Sequence, residues 1–72
     1  MDPLEHTEKY RGFQISVDVT QVREHAWIWG YSIDDGKGKS AFSNSKRALA
    51  SADAAMRRGI LAARARVEEL IG

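Results

Sequence analysis

The chain has no cysteine, which rules out a disulfide framework and any thiolate metal site and leaves the redox compartment open. It has no apolar run near the roughly 18 residues of a membrane span. Its opening, MDPLEHTEKY, has neither the basic nor the apolar stretch of a signal peptide, so a cytoplasmic protein with no membrane partner is the expectation. Signatures of catalysis are equally scarce. No serine sits in a Gly-x-Ser-x-Gly elbow, and no carboxylate pair is flanked by apolar residues that would drive the two pKa values apart. Gly38-Lys39-Ser40 has the ending of a phosphate-binding loop, but Ile33 stands where that loop needs its first glycine. Asp34-Asp35-Gly36 lacks the further oxygen ligands of a calcium loop, and His6 and His25 have no second ligand at metal spacing. No enzyme activity, no cofactor and no metal are expected.

What is present is enough for one domain. A chain of 72 residues buries only roughly 60% of the surface that its unfolded form exposes, so nearly all its apolar side chains must share one core, and no material remains for a deep, walled site. With 43% hydrophobic and 29% charged residues the composition is that of a folded domain, not a disordered segment.

Alternation marks the strands. Phe13, Ile15, Val17 and Val19 point one way, with Gln14, Ser16, Asp18 and Thr20 between them, which predicts a half-buried strand. After the polar stretch Gln21 to His25, a second alternating run places Trp27, Trp29, Tyr31 and Ile33 on one face and Ala26, Ile28, Gly30 and Ser32 on the other. Asp34 to Gly38 has turn chemistry, and a third strand over Lys39 to Ser43 is expected to bury Phe42. Ala52, Met56, Ile60, Ala63, Val67 and Leu70 recur at spacings of three and four, which predicts a helix capped by Ser51, with Ser45 a rival cap. Residues 1–8 carry helix-start chemistry but no apolar stripe, and are expected to form a flexible tail before a single domain over 9–72. The expected fold is therefore α+β: a three-stranded antiparallel β-meander with one C-terminal helix packed on one face, order βββα. The small residues of the helix stripe, with Gly59 beside them, would allow a close approach to the sheet, the rings of Trp27, Trp29 and Tyr31 filling the core beneath.

Charge is distributed unevenly. Residues 1–36 carry three basic and seven acidic side chains, whereas residues 37–67 carry eight basic ones and a single aspartate, Asp53. Such asymmetry suits either a polyanionic partner or halves that face each other. Lys37, Lys39, Lys46 and Arg47 precede the helix and form a candidate anion or nucleic-acid site. On an ideal wheel Arg58 lies nearly opposite the apolar stripe, Asp53 pairs with Arg57 and Arg64 with Glu68. Ile28, on the uncovered sheet face, and Leu61, on the outer side of the helix, are candidate protein-interface residues.

The run Gly36-Lys37-Gly38-Lys39-Ser40, then Ser45-Lys46-Arg47-Ala48, then Ala52-Asp53-Ala54-Ala55 resembles the C-terminal half of double-stranded RNA-binding domains. That resemblance implies phosphate contacts from Lys46 and Arg47, although the family's first helix has no counterpart before Tyr10. The βββα order, with Ser51-Ala-Asp-Ala-Ala opening the helix, also resembles HicB-type antitoxin domains. From Tyr10-Arg-Gly-Phe through the Trp-x-Trp strand to that helix, the chain is similar to small uncharacterised bacterial proteins, a likeness that implies a fold and no function. The expected role is a small non-catalytic module that binds another protein or a second copy of itself. The alternative is double-stranded RNA or DNA binding through the basic segment 37–66.

Overall fold

A computed structural model describes residues 4–72. The chain forms β1 (Leu4–Tyr10), β2 (Phe13–Arg23), β3 (Ala26–Asp34), β4 (Ser40–Asn44) and α1 (Ala52–Ile71). All neighbouring strands pair antiparallel in the order β1-β2-β3-β4, a meander with α1 across one face. The class is α+β, as the residue pattern predicts, but the sheet has four strands, not three. Residues 4–8, expected as tail, belong to β1; residues 1–3 of that expected tail lie outside the described residues.

The extra strand follows from a two-residue turn. Arg11 and Gly12 both take positive φ, 50° and 88°, as a hairpin turn whose twist matches that of its strands requires. Register then places Leu4, His6, Glu8 and Tyr10 opposite Val19, Val17, Ile15 and Phe13, all on the helix side. Because His6 and Glu8 hold positions that alternation reserves for apolar residues, the strand has no hydrophobic signal.

The core consists of Phe13, Ile15 and Val17 from β2, Ile33 from β3, and Ala63 and Val67 from α1, with Tyr10, Tyr31, Ala41, Met56, Ile60 and Leu70 packed around it. Trp27 and Trp29 are only half-buried and lie outside this cluster, contrary to the expectation that they fill it. The fully buried helix residues are Ala55, Gly59, Ala63 and Val67. A strict four-residue spacing advances by about 40° per step, so the contact line winds around the helix as the sheet beneath it twists. Gly59 marks the closest approach: a Cβ there would sit 2.6 Å from Val17 Cγ1 and 3.1 Å from Trp29 Cβ.

Ser51, not Ser45, caps the helix, its hydroxyl accepting from Ala54 N at 3.1 Å. Ser45 instead continues the ladder: Ser45 N donates to Trp29 O at 2.8 Å and Trp29 N to Ser45 Oγ at 3.1 Å. The third predicted strand is displaced by one residue, to Ser40–Asn44. Ala41 pairs with Ile33 and takes the helix side, which puts Phe42 on the open face, 83% exposed where burial was expected. With a period of two, the neighbour of an inward residue must point outward.

Candidate functional site

A short blister in the chain builds a concave part of the surface. Ser45 pairs with Trp29, and Leu49 then forms an isolated bridge with Trp27, Trp27 N donating to Leu49 O at 2.8 Å and Leu49 N to Trp27 O at 2.7 Å. Three residues, 46–48, are thereby looped out between two pinned points that β3 spans with Ile28 alone. The segment is short and pinned at both ends, and Lys46 and Arg47 line the same groove as Trp29. Arg58 arrives from the second turn of α1. Trp29, Ser45, Lys46, Arg47, Leu49 and Arg58 line an open groove of about 290 Å³, at the small end of the range for ligand sites.

The electrostatics of this groove differ from those of the rest of α1. Arg57 bonds to Asp53 at 2.8 Å, Arg64 to Glu8 at 2.9 Å and Arg66 to Glu69 at 2.8 Å. Among the described residues Lys46, Arg47 and Arg58 form no ion pair. Three uncompensated cations thus surround an apolar floor of indole and leucine. Tyr31 stacks on Trp29 with ring centroids 6.0 Å apart and planes 13° from parallel, which stiffens the indole.

A second polar cluster joins β1 to α1. Glu8 accepts two bonds from Arg64, at 2.9 and 3.0 Å, and meets His6 Nε2 at 2.8 Å. Chiefly the Arg64 bonds, then His6, hold its carboxyl down at about 2. The Tyr10 hydroxyl donates to Glu68 at 2.6 Å and Arg11 donates to both oxygens of that carboxylate at 3.0 Å. Glu68 is shifted downward, first by the Tyr10 bond and then by Arg11, and Tyr10 upward. The Arg64 guanidinium also lies 5.5 Å from the Tyr10 ring centre. Both carboxylates here are bonded to cationic groups of the same chain, so the cluster is a structural latch. It also replaces the expected Arg64–Glu68 pair, whereas the Asp53–Arg57 pair is present. His6, read as a solvated tail residue, is half-buried within it; His25 is exposed in the β2–β3 turn.

The four predicted anion-site residues do not come together. Lys46 and Arg47 line the groove. Lys37 lies in the β3–β4 turn, and Lys39 follows it, its Nζ donating to the Leu70 carbonyl at 3.3 Å, near the other end of a helix about 30 Å long. Asp35 organises that turn by accepting from the backbone N–H groups of Lys37 and Lys39, which lowers its pKa. Arg58, set opposite the apolar stripe by the ideal wheel, belongs to the groove. At the N-terminal half of α1 the contact line runs through Ala55 and Gly59, which leaves position 58 at its margin. Ile28 is half-buried on the open sheet face opposite Thr20, whereas Leu61 is 60% exposed on the outer side of α1; the two interface candidates share no surface. Among the described residues no group of three or more His, Asp or Glu side chains is placed to hold a metal, and no helix is long and apolar enough to cross a membrane. In comparisons with protein-family models, curated proteins and solved structures, nothing matches the chain.

Proposed function

We propose that the protein is a small non-catalytic module that binds nucleic acid through the groove between the 46–48 blister and α1. One observation carries this reading: Lys46, Arg47 and Arg58, from two separate parts of the chain, converge without carboxylate partners on a shared apolar floor. The other arginines of α1 are paired with carboxylates, so the helix's unpaired positive charge lies at the groove. Titration of the protein with labelled RNA and DNA at 50 and 200 mM salt tests it. Three phosphate contacts predict a log–log slope of about −2 on single strands, a loss of roughly twentyfold between the two salts. Affinity that does not respond to salt, or no binding at micromolar protein, would end this reading.

Self-association is a second reading, favoured by Phe42. It stands 83% exposed on β4, an edge strand whose five residues, SAFSN, include no charge to discourage pairing. Sedimentation at tens of micromolar decides it: a mass that rises with concentration and returns to that of the monomer in Phe42→Ser is the supporting result. A monomer at all concentrations is the opposing one.

A further inference from the structure

Resting on the nucleic-acid reading, we infer that the groove takes a single strand, with one base laid against Trp29 and Leu49 and the adjoining phosphates on Lys46, Arg47 and Arg58. A groove of about 290 Å³ with an indole and a leucine at its floor, lined otherwise by Ser45 and three cations, selects a ligand that is planar and apolar at one point and anionic beside it. A nucleotide unit has both properties. An acidic peptide offers the charge without the flat apolar surface, and a duplex keeps its bases stacked inside, out of reach of a side chain in a cleft.

Charge placement points the same way. A duplex lying along the helix would need basic groups at intervals over its length. Here Lys37 and Lys39 are near the far end of α1, where Lys39 is tied to the Leu70 carbonyl. Between the two basic ends, Arg64 is already occupied by Glu8 and Arg66 by Glu69. The three uncompensated cations gather at one groove, not at intervals that match successive grooves of a duplex. Tyr31 already stacks against the indole and fixes the plane on which a base would lie, so little ordering remains to be done on binding.

The test leaves Trp29 unaltered, since its Cβ touches the helix at Gly59 and its replacement would disturb the fold. Four labelled ligands are titrated against the intact chain: a mixed-sequence 12-nucleotide strand, an abasic strand of equal length and charge, the corresponding duplex and a poly-glutamate peptide. The expected result is that the base-bearing strand binds roughly tenfold tighter than the abasic strand and tighter than the duplex. The Lys46→Gln, Arg47→Gln, Arg58→Gln triple variant should lose most of this affinity, and Lys37→Gln should keep it. Equal binding of base-bearing and abasic strands, or preference for the duplex, would overturn the single-strand assignment while leaving the nucleic-acid reading in place. Poly-glutamate bound as tightly as the strand, or no binding of any ligand, would overturn both.

Discussion

Gly59 is the residue at which two effects compete most openly. Alanine in its place would favour the helix by about 1 kcal/mol, but its Cβ would lie 2.6 Å from Val17 Cγ1 and 3.1 Å from the Trp29 Cβ. Both neighbours are held by the sheet, and Val17 is fully buried, so relief requires the helix to lift from its closest contact. Overpacking of this kind costs about 1–3 kcal/mol. Gly59→Ala is therefore expected to destabilise by about 1 kcal/mol net, lowering the melting temperature by about 4–8 °C in a domain this size. Gly30 is the contrasting case. The atoms nearest its missing Cβ are the side-chain oxygens of Asn44, at 2.6 Å, and Asp18, at 3.2 Å, chain ends on the open face that can swing aside. Gly30→Ala should stay within about 0.5 kcal/mol of the parent. A Gly59→Ala variant that melts higher than the parent would show that the helix is not seated as closely as described. Small residues in the stripe made a close helix legible from the sequence. Which of them touches the sheet was not, because the contact line depends on a twist that no local spacing records.

At the scale of elements, β1 shows what hydropathy cannot see. Its helix-facing side carries His6, Glu8 and Tyr10, and the helix partners of the last two, Arg64 and Glu68, are more than fifty residues away in the chain. Periodicity reports burial in an apolar core and is silent about a strand held by charge, so the only local clue was the Arg11-Gly12 dipeptide. The strands β2 and β3, the helix and its Ser51 cap, by contrast, announced themselves through alternation, stripe and cap chemistry. The same partnership makes β1 sensitive to acid. Glu8 titrates near 4.5 in an unfolded chain and at about 2 in the fold, so its contribution is complete above pH 4.5 and fades as the pH falls toward 2. Glu68, also shifted downward, acts in the same direction. Solvent reaches the Arg64 end of the pair, and the Glu8 contribution is expected at roughly 1–2 kcal/mol after that screening. Thermal unfolding from pH 6 to pH 2 should show the parent losing this increment, whereas Glu8→Gln, less stable at neutral pH, should show a shallower decline over the same interval. Identical pH profiles for the two proteins would remove Glu8 from the latch.

For the whole molecule the decisive fact is that one helix covers a four-stranded sheet, so each strand edge and the far sheet face must be managed without a second layer. The two edges are managed differently. β1 carries Glu5, Glu8 and Lys9 and is fastened to α1, while β4 is short and uncharged. The candidate groove exists because β4 does not simply end: it continues through the blister to pair Leu49 with Trp27. That continuation has no turn signal in the sequence, although Lys46 and Arg47 were visible as a basic pair. If β1 were a tail, its removal would be neutral. In this architecture, deletion of residues 1–10 strips the ladder from β2, an eleven-residue strand whose apolar side is the core, and leaves Arg64 without Glu8 and Glu68 without Tyr10. An uncovered strand of that length is a template for pairing between chains. The truncated protein is expected to lose cooperative unfolding or melt at least 15 °C lower, since several interactions of about 1 kcal/mol each disappear together, and to self-associate at concentrations where the intact chain does not. The measurements are a thermal melt followed by circular dichroism and sedimentation of both chains at equal concentration. A truncated chain that matched the intact one in both would return residues 4–10 to the status of a tail and leave β2 as the true edge of the sheet.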